Sequence, residues 1–103
     1  MKELQDIHPD GAGLSLQVTV RSPLGLHARP SAQLVEELQA FEADVRVRHS
    51  NTWPTAGADA KSLLDLLRLA ASAGDSLTLT ATGPDARSAL ERAAELLESG
   101  ARG

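Results

Sequence analysis

Gly25-Leu26-His27-Ala28-Arg29-Pro30 is the stretch of this chain whose residue types and spacing could do chemistry. A free imidazole is a nucleophile that is largely neutral at pH 7, since its unperturbed pKa is about 6.5. It can take up a phosphoryl group and give it away again. An arriving dianion needs stabilisation, and a helix N-terminus supplies it, because the first backbone N–H groups have no intrahelical acceptor and the helix dipole is positive there. With His27 at the N-cap, the amides of Ala28 and Arg29 are free to bind phosphate. The Arg29 guanidinium can add a charge-assisted contact. Pro30 falls in the first turn, where its missing N–H leaves no gap in the ladder. On residue type alone, a His before a helix is more often only a surface residue; the surroundings set His27 apart. His8 lies in a polar tail and His49 at a strand end, and both are read as structural.

The elements that must position this segment follow from periodicity. Residues 1–13 are polar and are read as a short flexible extension. Leu14, Leu16, Val18 and Val20 alternate with polar residues, which predicts a strand with one buried face. Pro23 and Gly25 break it. From Ala28 the period becomes helical, with Ala28, Ala32, Val35 and Leu38 on one side and Leu34 and Phe41 beside it. Asp44 to His49 reads as a second strand. A short edge strand follows near 50–59, with Pro54 tolerable only at an edge. A second helix is expected between Asp59 and Ser72, starting near Ser62. Its stripe of Leu63, Leu66, Leu67 and Ala70 is assigned to the core, with Leu64 and Leu69 on the flanks. Leu77, Leu79 and Ala81 mark another strand. Gly83 and Pro84 open a third helix with Ala86, Leu90, Ala93 and Leu97 inward and Gly100 as its stop. The order βαββαβα, without regular βα alternation, predicts a two-layer α+β domain with an antiparallel sheet covered on one face.

Composition narrows the function. A chain of 103 residues is one domain. Phe41 and Trp53 are the only aromatics and the net charge is −4, so neither stacking platforms nor a basic stripe favours nucleic acid. There is no cysteine, which excludes thiol chemistry and fits a reducing cytoplasm. No Walker loop, metal-ligand cluster or triad spacing is present, so an independent enzyme, a metal or a cofactor is not expected. No apolar run is long enough for a membrane span, and the opening residues lack the apolar stretch of a signal peptide.

Gly25 to Pro30 closely resembles the active-site signature of the HPr family, the phosphocarriers of the bacterial phosphotransferase system. The preceding strand, Ala43-Asp44-Val45, Lys61-Ser62-Leu63-Leu64 and the segment from Asp75 to Leu97 resemble the family in the same order. The resemblance spans about residues 14–98, leaving 99–103 as a C-terminal tail. It implies an open-faced sandwich, a four-stranded antiparallel sheet with three helices on one face. It implies phosphorylation of His27 on Nδ1 by enzyme I, drawing on phosphoenolpyruvate, with help from Arg29, and transfer to a IIA component of a sugar permease. It also implies partner contacts by Leu63, Leu64 and Leu67, and a monomeric cytoplasmic carrier. Part of the second helix would then be an exposed docking patch instead of core.

Ser62 matches the family's regulatory serine, the target of an ATP-dependent HPr serine kinase/phosphorylase in some bacteria. Ser is also a favoured N-cap, so it is a cap, a switch or both. Two features depart from the family: Asp65 stands where Gly is usual, and the stretch from Val47 to Lys61, with Trp53 and Pro54, is longer. The competing functions are a paralogous carrier in a nitrogen-regulatory or dihydroxyacetone-kinase relay, and a non-catalytic regulatory α+β domain.

Overall fold

The computed structural model describes residues 7–11, 13–49 and 57–98. Trp53, Pro54, Gly100 and the C-terminal tail lie outside the described residues. The elements run β1 (His8–Asp10), β2 (Gly13–Thr19), α1 (Ala28–Leu38), β3 (Asp44–His49), β4 (Ala58–Asp59), α2 (Leu63–Leu69), β5 (Ser76–Thr82) and α3 (Ala86–Glu98). One antiparallel sheet has the order β1-β2-β5-β3-β4. The expected four strands and three helices are all present, in an α+β open-faced sandwich.

The alternation of the strand residues sets the two faces. Across the register, Leu16 stands opposite Leu79, which stands opposite Val47; Val18, Leu77 and His49 form the next row. Leu16, Val18, Val45, Val47, Leu77 and Leu79 are buried under the helices. Each fully buried Leu or Val contributes about 1.5–3 kcal/mol of transfer free energy, so these rows anchor the layer packing. Arg46, Arg48, Gln17, Thr78 and Thr80 alternate with them and are exposed or half-buried. α3 buries Ala86, Leu90, Ala93 and Leu97 as expected, with Ala89 and Ala94 alongside.

Three expectations are corrected. The extension is not wholly flexible: His8–Asp10 adds a fifth strand antiparallel to β2, with Pro9 opposite Leu14. Gly11, at φ 59°, turns the chain there, and Ile7 is buried. In α1 the inward stripe is Pro30, Ser31, Leu34 and Leu38, whereas Ala28 and Ala32 face out. Small alanines gain little by burial, and the larger Leu34 and Leu38 decide the rotation. In α2 the buried pair is Leu66 and Leu69, while Leu63, Leu64 and Leu67 are exposed. Five leucines in one seven-residue helix leave the pattern without a unique face.

Asp85 joins the turn after α1 to the start of α3. Its carboxylate accepts from the amides of Glu42 at 2.9 Å and Ala43 at 2.8 Å. The Glu42 amide is the largest cause holding this carboxyl below its ordinary value; desolvation opposes it, and the Ala43 amide, Asp85's own amide and nearby Lys61 add to the lowering. A depressed folded-state value stabilises the fold above the ordinary carboxylate pKa of about 4. That contribution is lost as pH falls through the lowered value. Urea unfolding followed from pH 7 to pH 2 should therefore show a shallower acid loss in Asp85→Asn than in the parent chain. Identical pH slopes would remove this role for Asp85.

Candidate functional site

His27 is the N-cap of α1, with φ −84° and ψ −169°, and its side chain makes no capping hydrogen bond. The extended backbone turns the chain into the helix, and its carbonyl accepts from Ser31 N–H at 3.1 Å. Ala28 and Arg29 are exposed. Among the described residues no protein group accepts from the amides of Ala28 and Arg29, as expected for the first helical positions. The His27 ring is half-buried, and of its two nitrogens Nε2 is the buried one, without a partner. Pro30 is buried in the first turn. The structure therefore brings His27, Arg29 and the two open amides to one helix start.

The loop before His27 is held tightly. Leu26 has its side chain in the core, and its amide donates to the Ala71 carbonyl at 2.9 Å. The Leu26 carbonyl accepts from the buried Ser31 hydroxyl at 3.2 Å. Gly25 has φ 78°, and a Cβ there would run into the Ala71 carbonyl and come within 2.9 Å of Ser72 Cα. Only glycine satisfies both the positive φ and this close approach. The loop thus sits on the exit of α2. That exit is itself strained: Ala70 ends α2 in the left-handed region at φ 53°, a conformation usually left to Gly or Asn. The platform of Ala71 and Ser72 was not read from the sequence; the need for a glycine two residues before His27 was its signal.

Ser62 is the N-cap of α2, its Oγ accepting from the Asp65 amide at 3.2 Å. Asp65 has a structural use of its own, since its carboxylate accepts from the Asp59 amide at 3.1 Å and ties the helix start to β4. Lys61 Nζ donates to the Phe41 carbonyl at 2.6 Å, joining this corner to the end of α1. Leu63, Leu64 and Leu67 line the outer side of α2. Leu24, which the sequence reading passed over, is 77% exposed in the loop before His27. Among the described residues there is no cluster of His, Asp or Glu that could hold a metal, and no helix is long and apolar enough to cross a membrane.

An open-faced sandwich that presents a histidine at the start of its first helix defines a class of small histidine-bearing carriers. The family model described as "PTS HPr component phosphorylation site" matches residues 14–99. The chain is 39% identical over 82 residues to the phosphocarrier protein HPr of Vibrio cholerae, covering 80% of this chain and 92% of that one. It is 36% identical to the phosphocarrier protein NPr of Escherichia coli K12, covering 81% and 89%. It is 42% identical over 81 residues to a multiphosphoryl transfer protein of Xanthomonas campestris, covering 79% of this chain but only 9% of that relative. Among solved structures, a phosphocarrier protein HPr from Bacillus anthracis superposes with a TM-score of 0.77 at 33% identity, covering 84% of this chain and 99% of that one. The chain belongs to the HPr family of phosphocarriers.

Gly25→Ala should destabilise the fold by about 1–3 kcal/mol, through a strained backbone and a steric clash. The urea midpoint measures this. An unchanged midpoint would show that the loop does not rest on Ala71.

Proposed function

We propose that His27 is the phosphoacceptor, taking a phosphoryl group from enzyme I charged by phosphoenolpyruvate and passing it to a IIA component for sugar uptake. The observation that carries this is the pairing of the His27 ring with the unengaged amides of Ala28 and Arg29 at one helix start. In each transfer the lone pair of His27 Nδ1 attacks phosphorus, and the bond to the donor histidine breaks as the new P–N bond forms. Burial of Nε2 favours Nδ1 as the reacting nitrogen. The two amides, the helix dipole and the Arg29 guanidinium hold the negative charge of the phosphoryl oxygens. Little covalent work falls to other side chains, so alignment and charge stabilisation dominate.

Leu24, Leu63, Leu64 and Leu67 form the surface on which partners dock. The loop bearing Leu24 is bonded to the exit of the helix bearing the other three. The carrier acts as a cytoplasmic monomer, because it must leave one partner to reach the next, and a modest interface suits that. Similarity to an NPr at nearly the same identity as to an HPr leaves the nitrogen-regulatory relay as the second reading.

Incubation with phosphoenolpyruvate and enzyme I should give an acid-labile, base-stable phosphoprotein. His27→Ala should abolish it, and Arg29→Ala should slow transfer by roughly ten- to a hundredfold. Labelling that survives His27→Ala would reject the site. Faster transfer to a nitrogen-regulatory IIA than to a sugar IIA would select the second reading.

Ser62 is proposed as a further acceptor for the HPr serine kinase/phosphorylase, its hydroxyl hydrogen not being used by the cap. ATP and that kinase should add one phosphate that Ser62→Ala removes. An identical product from Ser62→Ala would end this assignment.

A further inference from the structure

By sequence His49 is a structural residue at a strand end. It occupies the inner face of β3, two residues on from the buried Val47, in the row of Leu77 and Val18. Its side chain is only 16% exposed. Nε2 lies 2.8 Å from a carboxylate oxygen of Asp75, and Nδ1 is buried without a partner. A hydrogen on Nε2 suits this geometry, since the carboxylate can only accept.

Asp75 is not a simple surface carboxylate. The same oxygen accepts from the Ser72 amide at 2.8 Å, and the Asp75 amide returns a bond to the Ser72 carbonyl at 3.0 Å. The turn is also tied to the end of β2. Val20 N–H donates to the Asp75 carbonyl at 2.9 Å, and Gly74 N–H donates to the Val20 carbonyl at 2.8 Å. This turn contains Ser72 and follows directly on Ala71; Gly25 packs against both, and the Leu26 amide bonds to the Ala71 carbonyl. A continuous path thus runs from the His49 ring through Asp75, Ser72, Ala71 and Leu26 to the neighbouring His27.

We propose that His49 and Asp75 are positioning residues for phosphotransfer, fixing the turn that seats the loop before His27. This rests on the reading of His27 as the phosphoacceptor. Two donors converge on Asp75, and they hold its carboxyl below the ordinary value, the Ser72 amide more strongly than His49. The ionised carboxylate is the form that accepts both bonds. Removing the imidazole leaves the Asp75 carboxylate bound only to the Ser72 amide, so the side-chain link from the turn to His49 is lost while the turn's backbone bonds persist. The His27 ring and the amides of Ala28 and Arg29 are untouched. The loss should therefore fall on alignment during transfer more than on partner binding.

The test uses His49→Ala and His49→Gln in the full chain, since the Gln amide reaches toward Asp75 much as Nε2 does. Amide exchange followed by NMR should be roughly tenfold faster at Leu26 in His49→Ala, with Leu79 in the central strand unchanged. Steady-state transfer from charged enzyme I should lose on the order of tenfold in kcat with KM unchanged. His49→Gln should restore both. Unaltered exchange at Leu26 would overturn the proposal. So would equal acceleration at Leu26 and Leu79, which marks a general loss of stability, or a failure of Gln to rescue. If the parent chain takes no phosphate at His27, the carrier reading itself fails, and the exchange measurement still decides the latch.

Discussion

The hydrogen bond from Leu26 N–H to the Ala71 carbonyl is the contact on which the site depends. It joins the entrance of α1 to the exit of α2, and everything nearby is arranged around it. Gly25 gives the carbonyl room to approach, Ser31 holds Leu26 from the opposite side, and Ala70 bends the end of α2 to present the acceptor. His27 follows Leu26 directly. Its backbone therefore enters the helix from a residue fixed by its side chain, its amide and its carbonyl. A helix terminus frays easily when it stands alone. This one is held at the residue before its cap, which keeps the two open amides in a defined direction.

Saturation elsewhere sharpens the contrast. The corner between β4 and α2 is closed by Ser62, Asp65, Asp59 and Lys61, and the corner between α1 and β3 by Asp85. Polar backbone groups at these ends meet side chains of the same chain, as the cost of leaving them unpaired requires. The start of α1 is different, since its neighbour at the cap makes no such bond. An anion is the natural occupant of that place. α2 has a double task, with Leu66 and Leu69 filling the core while Leu63, Leu64 and Leu67 stay accessible. A seven-residue helix can do both because its two faces carry the same residue type.

The strands, α3 and the segment around His27 were legible because their patterns are clean. Alternating Leu and Val fix the sheet faces, and Pro30 with Gly25 brackets the helix start. α1 was rotated in the reading because Ala28 and Ala32 counted as apolar, while Ser31, which goes inside to bind the Leu26 carbonyl, counted as polar. α2 could not be oriented from its leucines alone. The missing information was contact across the chain: α2 packs against α1, β3 and β4, and Leu66 and Leu69 are its buried residues. His49 was passed over for a related reason. The alternation of Val45, Val47 and His49 already pointed it inward, but its partner Asp75 is 26 residues away.

The hairpin formed by β1 and β2 has a consequence for how molecules of this protein meet. Without it, β2 would end the sheet with a seven-residue row of backbone groups open to another chain. With it, the outermost strand is three residues long and has proline in the middle. Proline has no amide hydrogen, so an incoming strand finds a break in the ladder it would need to extend. Over Gly13 to Ser15, the part of β2 that it pairs, the added segment therefore blunts the edge against strand-to-strand association.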